Sequence, residues 1–153
     1  MTGRKLKVEA IASGTVIDHI PAGMGIRILN FFELTKQQDR ITVGLNLKKS
    51  TGGKKDLIKV ENTKFTKEQA QQLALFAQDA TINVIEDYKV VEKFKVTLPE
   101  AIEEVLSCPN TNCITHDEPV SSTFYIKEQQ EKVALKCHYC EKSFNQSFFK
   151  ELV

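Results

Sequence analysis

Apolar and polar positions alternate in several short runs. KLKVEAI (Lys5–Ile11) reads as a half-buried strand, Ser13-Gly14 interrupts it, and TVIDHI (Thr15–Ile20) resumes the same period. Pro21 suits the first position of a helix, and Met24, Ile26, Ile28, Leu29, Phe31 and Phe32 supply its apolar side. ITVGLNL (Ile41–Leu47) and DLIKVEN (Asp56–Asn62) are strands joined by KKSTGGKK, a polar, glycine-containing hairpin loop. Thr66 and Gln69 have the spacing of a capping box, opening a helix that buries Leu73, Leu75, Phe76 and Ala77. TINVIED (Thr81–Asp87) and YKVVEKFKV (Tyr88–Val96) are two further strands. Thr97-Leu98-Pro99 marks an exit, and PEAIEEVL reads as a short helical connector.

The order β–α–β–β–α–β with one extra strand is the ferredoxin-like plan, an antiparallel sheet with both helices on one face. The remainder carries three strand-like runs, STFYIKE, EKVALKC and KSFNQSFF, and no helical period. The fold class expected is therefore α+β, a ferredoxin-like domain over residues 1–97 followed by a small all-β, zinc-ribbon-like domain over 98–153.

All four cysteines fall in that second part: Cys108, Cys113, Cys137 and Cys140, as CPNTNC and CHYC. The 23 residues between Cys113 and Cys137 allow a hairpin, so two knuckles can hold one zinc ion from opposite sides. The competing readings are disulfides, a redox-active CHYC, and unpaired buried thiols. The N-terminus MTGRKLKVEA has no apolar run or cleavage site to direct export, which argues against disulfides. CHYC lies between two strand-like runs, whereas a thioredoxin-type pair opens a helix after a strand. His116 and His138 stand near the knuckles and could each replace a thiolate, but four sulfurs already fill the shell, so both are expected outside it. A full shell leaves no position for a reacting water, so the site is structural. About fifty residues make a marginal core, and metal binding of roughly 10–16 kcal/mol would decide whether this part folds.

Net charge is +1, but it is unevenly spread. Residues 1–100 hold 16 lysines and arginines against 12 acids, while residues 101–153 hold 5 lysines against 8 acids. A zinc ribbon that binds nucleic acid usually carries a basic face, and this one is mildly acidic. The positive surplus sits in the metal-free domain, where it could meet an anion. No apolar run approaches the ~18 residues of a membrane span, so a soluble, cytoplasmic chain is expected. Catalytic motifs are missing: Gly23-Met24-Gly25 lacks the third glycine of a dinucleotide fingerprint, and GGKK (Gly52–Lys55) lies in a hairpin rather than before a helix. Asp18 and His19, as strand neighbours, point to opposite faces and cannot form a dyad. Glu103 and Glu104 are consecutive on the expected helix and do not face each other. The chain is expected not to be an enzyme. His19, Lys55, Lys59 and Lys93 could share one site only if the fold brings their strands together.

KVEAI, GTVIDHIP, RITVGLNL, KKDLIKVEN, CPNTNCI, THDEPV and LKCHYCEK together resemble the regulatory chains of aspartate carbamoyltransferase, over almost the whole length. The resemblance implies a non-catalytic subunit for feedback control of pyrimidine biosynthesis. Its N-terminal domain would bind CTP as inhibitor and ATP as activator, with UTP and Mg²⁺ as further candidates. Its C-terminal domain would hold one structural zinc and contact the catalytic chain. The chains would pair through the N-terminal domain, three such dimers joining two catalytic trimers.

Carried over by position, the nucleotide site uses Val8, Glu9, Ala10, Ile11, Asp18, His19, Lys55, Leu57, Lys59, Asn83, Ile85, Tyr88, Val90 and Lys93. In that picture backbone groups near Ile11 and Tyr88 read the base, Lys59 reaches ribose and base, and Lys93 and His19 meet phosphate oxygens. Asp18 is expected near the sugar and phosphates. Asn110, Asn112, Glu141 and Lys142 match positions that contact catalytic chains. Val84 stands where an arginine is expected, Phe94 and Val96 also depart, and the loop Lys48–Gly53 is this chain's own. The alternative reading is a zinc-ribbon nucleic-acid-binding or transcription-associated protein, which steeply salt-dependent DNA or RNA binding would favour.

Overall fold

The structure is a computed structural model that describes residues 10–129 and 132–146. It divides into two compact units, one ending at Thr97 and the other beginning at Leu98.

In the first unit, β1 (Gly14–Pro21), β2 (Ile41–Lys48), β3 (Lys54–Glu61), β4 (Thr81–Glu86) and β5 (Lys89–Lys95) form one sheet in the order β2-β3-β1-β4-β5. Every neighbouring pair is antiparallel. With α1 (Gly25–Phe31) and α2 (Lys67–Leu73), this is the ferredoxin-like order with an added edge strand. Alternation puts Ile17, Ile58 and Ile82 on one face, directly opposite one another across three strands and fully buried. Phe31 meets Phe76 and Phe32 meets Phe65, joining the two helical segments over this core. The capping box forms as expected: Gln69 N–H donates to Thr66 Oγ1 at 3.1 Å, and Thr66 N–H donates to Gln69 Oε1 at 3.0 Å.

Three expectations are corrected. Pro21 ends β1 rather than starting a helix, and α1 begins four residues later at Gly25. The helix opened by Thr66 stops at Leu73, and Leu75, Phe76 and Ala77 are buried by the turn that follows. The connector PEAIEEVL is not helical: Ala101–Glu103 is a strand paired with Thr123–Tyr125, so Glu103 lies on a strand and Glu104 follows at φ +65°. Its apolar residues look helical in isolation, but pairing with a waiting edge satisfies the backbone better than one unsupported turn. Of the run Lys5–Ile11, residues 5–9 lie outside the described residues.

β1 and β2 each carry one extra residue. Between Ile17 and Ile20 β1 advances three positions while β3 advances two, and β2 does the same between Gly44 and Leu47. His19 and Asn46 occupy the bulges in the left-handed region, both at φ +58°. Between them sits Asp56, fully buried. Its carboxylate accepts backbone N–H groups from Gly23 at 3.0 Å, Gly25 at 2.9 Å and Asn46 at 3.0 Å. One side chain thus caps α1, whose Met24 offers no side-chain cap, and fixes the β2 bulge. The fit is close: a Cβ on Gly25 would lie 3.0 Å from Asp56 Oδ2. Asp56→Ala should cost about 3 kcal/mol, because three backbone donors, one of them buried, lose a charged acceptor at once. Denaturant unfolding of the metal-loaded chain, following the first unit, measures it.

The second unit is a four-stranded antiparallel sheet, β6 (Ala101–Glu103), β7 (Thr123–Gln129), β8 (Lys132–Cys137) and β9 (Ser143–Asn145), in sequence order. Its buried apolar side chains are few: Ile102, Leu106, Phe124, Val133 and Leu135 among the described residues, beside three of the cysteines. Of the run KSFNQSFF, residues beyond 146 lie outside the described residues.

Candidate functional site: a cationic cleft and a four-thiol centre

The face of the first sheet opposite the core carries two cross-strand rows. Lys59, Val16, Asn83 and Lys93 lie side by side across β3, β1, β4 and β5. One step along, Asp18, Thr81 and Lys95 do the same across β1, β4 and β5. Leu57 and Ile85 share this face by alternation. These positions lie far apart in the chain, and only the strand order makes them neighbours.

Beside these rows opens a cleft of about 630 Å³, lined among others by His19, Lys49, Lys54, Lys55, Lys93 and Lys95. The β1 bulge explains the placement of His19. In a regular strand Asp18 and His19 would face opposite sides; the extra residue turns both away from the core while Ile17 and Ile20 stay fully buried. They still form no dyad. Asp18 pairs with Lys55 at 2.8 Å and accepts the His19 backbone N–H at 2.7 Å, while the His19 ring meets Thr81 Oγ1 at 3.0 Å. Partial burial opposes ionisation of Asp18, but the Lys55 ammonium and the His19 amide outweigh it and hold its pKa below the usual carboxylate value.

Lys55 is the one cleft lysine with a carboxylate partner: among the described residues none pairs with Lys49, Lys54, Lys93 or Lys95. Asp79 is the only acid among the residues lining the cleft. So many like charges in one hollow repel one another until an anion enters.

Of the other carried-over positions, Val8 and Glu9 lie outside the described residues. Ala10 and Ile11 precede β1, Ile11 being buried. The Tyr88 N–H donates to Ala12 O at 3.0 Å, so the segment after Ile11 and the β4–β5 turn are neighbours. Tyr88 and Val90 are exposed, and Lys59 is largely buried. Val84 is buried on the core face, away from both rows. Lys49, Ser50, Thr51, Lys54, Thr81 and Lys95 line the cleft without having been singled out. KKSTGGKK holds a signal of its own, four lysines around one turn.

In the second unit the four cysteine sulfurs lie within 4.8 Å of one another. Cys108 and Cys140 are 3.7 Å apart, as are Cys113 and Cys137. Those separations are too long for disulfides and equal the edge of a tetrahedron with metal–sulfur bonds of roughly 2.3 Å. Cys108–Cys113 and Cys137–Cys140 are the two knuckles, and β7 and β8 form the hairpin between them. Burial opposes ionisation of Cys113, but the Thr115 hydroxyl at 3.2 Å, the Thr115 N–H and the neighbouring thiols bring its pKa down to about 6. Cys140 is also lowered: burial is outweighed by the Lys142 N–H and the Asn110 side chain. Burial pushes Cys108 and Cys137 up. Neither nearby histidine joins the cluster. His116 Nε2 donates to the carbonyls of Cys108 and Asn110 at 3.0 Å each, bracing the first knuckle, and His138 Nδ1 meets the Tyr125 hydroxyl at 2.7 Å.

An anion-ready cleft on one unit and a thiolate cage on the other define a binding and structural protein. Comparison with known proteins agrees. Residues 6–97 match the family described as aspartate carbamoyltransferase regulatory chain, allosteric domain, and residues 100–150 match the metal binding domain of the same chain. The regulatory chain of aspartate carbamoyltransferase from Psychromonas ingrahamii is 58% identical over 149 residues, covering 97% of this chain and 98% of that one. Those from Aeromonas salmonicida and Tolumonas auensis are also 58% identical, over 147 and 148 residues, covering 96% and 97% of this chain and 96% of each of theirs. The chain belongs to the aspartate carbamoyltransferase regulatory chain family, and it is a regulatory rather than a catalytic subunit. No helix among the described residues is long and apolar enough to cross a membrane.

Proposed function

We propose that this chain is the nucleotide sensor of an aspartate carbamoyltransferase, binding CTP as inhibitor and ATP as activator in one site. The observation that carries this reading is the cleft of five lysines, one of them paired with a carboxylate, beside the row Lys59–Val16–Asn83–Lys93. A triphosphate supplies the missing negative charge through charge-assisted hydrogen bonds from Lys93, Lys55 and His19. Ribose and base then extend along the row, past Lys59 and Asn83, toward Ile11, Ile85, Tyr88 and Val90. Lys55 exchanges Asp18 for phosphate as the ligand enters, freeing Asp18 for the sugar or a Mg²⁺ ion.

The metal is a single zinc ion: four thiolates in a tetrahedron suit its size and softness. It holds a rigid knuckle in which Asn110, Asn112, Glu141 and Lys142 meet the catalytic chain. Two catalytic trimers and three regulatory dimers, paired through the first unit, make up a cytoplasmic complex. A nucleotide shifts its activity only by binding its two quaternary states with different affinity, so inhibitor and activator prefer opposite states.

Calorimetric titration of the zinc-loaded chain with CTP, then with ATP as competitor, tests the reading. Saturable CTP binding displaced by ATP is expected. Heat from neither nucleotide would leave the metal site as proposed and remove the sensor role.

A further inference from the structure

We propose that a cavity on the second unit, beside the first cysteine knuckle, is a socket for an arginine side chain of the catalytic chain, with Glu104 as its anchor. The inference rests on the reading that this unit meets the catalytic chain. It adds a surface that Asn110, Asn112, Glu141 and Lys142 do not include.

The cavity holds about 370 Å³, and its wall includes Glu104, Leu106, Thr115, His116, Val120 and Ser121. Glu104 is its one acid. Among the described residues no lysine or arginine lines it or pairs with that carboxylate. Two hydroxyls of the wall have already committed their protons. Ser121 Oγ donates to Glu104 Oε1 at 3.0 Å, and Thr115 Oγ1 donates to Cys113 Sγ at 3.2 Å. Toward the cavity each can then only accept. His116 turns Nε2 onto the carbonyls of Cys108 and Asn110, so that nitrogen brings no donor to the cavity. The hollow thus presents a carboxylate and fixed lone pairs. It rejects anions and suits a ligand rich in N–H donors.

The apolar part of the wall narrows the choice. Leu106 is buried and Val120 is exposed, so an apolar strip leads from the interior to the surface. A long side chain with an aliphatic stem and a cationic head matches that division. A guanidinium fits better than an ammonium, because its five donors in one rigid plane can serve the carboxylate and the hydroxyls together.

The anchor and the socket are held before any partner arrives. Glu104 follows β6 at φ +65°, and its N–H donates to Ser122 O at 2.8 Å, tying it to the segment that leads into β7. Cys108 lines the cavity, His116 braces the carbonyls of Cys108 and Asn110, and Asn112 N–H donates to Asn110 Oδ1 at 3.1 Å. The socket and the two asparagines are therefore parts of one knuckle, and a chain resting on the asparagines is beside the socket. Charge agrees: residues 101–153 hold 8 acids against 5 lysines, so a cationic partner is favoured.

The test mixes the full metal-loaded chain, or its Glu104→Gln variant, with catalytic trimers and follows assembly by sedimentation at low and physiological salt. Glutamine keeps an acceptor for Ser121 and removes only the charge. The variant should bind trimers about tenfold more weakly, with a smaller loss at higher salt, while its metal content and circular dichroism match the parent chain. In a separate variant with Glu104 intact, benzoylphenylalanine at position 120 should crosslink to the catalytic chain beside an arginine. Equal trimer affinity in Glu104→Gln, or a crosslink with no arginine nearby, would overturn the proposal. If Glu104→Gln loses its metal, the crosslink alone decides. If the parent chain fails to join trimers at all, the subunit contact itself is refuted and the socket falls with it, an outcome distinct from a variant that assembles as well as its parent.

Discussion

Stripping the metal with a strong chelator should unfold the second unit and leave the first standing. Among the described residues its core is Ile102, Leu106, Phe124, Val133 and Leu135, few side chains to set against the entropy of ordering some fifty residues. A tetrathiolate site contributes roughly 10–16 kcal/mol in small metal-dependent folds. The metal also ties both ends of the β7–β8 hairpin: Cys137 closes β8, and Cys113 reaches it from the other knuckle. Without a cation the four sulfurs crowd together; as they ionise they repel. Hydrogen exchange read by mass spectrometry, before and after chelation, should show loss of protection across β7 and β8 and retention across β1, β3 and β4. Equal protection in both units after chelation would contradict this account. Cys113→Ala should reproduce the loss and abolish assembly with catalytic trimers.

Lys93→Ala is expected to lower CTP and ATP affinity by about 10- to 100-fold, the worth of one charge-assisted hydrogen bond. Lys93 is exposed and has no carboxylate partner among the described residues, so its removal leaves no buried group stranded. The variant should therefore keep its melting behaviour and its ability to join the catalytic chain. Lys59→Ala, at a position only 9% exposed, should cost stability as well as affinity. Calorimetry paired with thermal melts separates the two cases. Unchanged nucleotide affinity in Lys93→Ala would remove its phosphate role.

What could be read from the chain beforehand follows the range of the interactions involved. Strand period, the Thr66–Gln69 cap and the cysteine knuckles are local patterns, and each is met within a few residues of its expected place. The cleft is not local. Strict alternation sends Asp18 and His19 to opposite faces, and alternation fails there because of the bulge. Asp56 read as one more polar strand position, yet it is the buried acceptor of three backbone donors from two other segments. The resemblance to a known family supplied the inherited nucleotide positions that spacing alone could not, but not Lys49, Lys54 or Lys95, which lie outside what it carried over. The connector misread as a helix shows the same limit: Ile102 is buried by β7, more than twenty residues away.

The bulge in β1 has a consequence for how chain length can vary in this family. Ile17 and Ile20 sit opposite Ile58 and Asp56, two positions apart on the partner strand but three apart on their own. Removing His19 would leave an ordinary two-residue repeat, with both isoleucines still opposite the same partners. A single deletion of either bulge residue, Asp18 or His19, erases part of the anion site without displacing the core, whereas a deletion at Thr15 or Val16 puts the strand out of register with its neighbours. The hairpin tip at Ser50–Gly53 tolerates additions for the opposite reason, since it carries no core residue at all. Gain or loss of ligand response in this domain is thus separable, by one codon, from gain or loss of the fold.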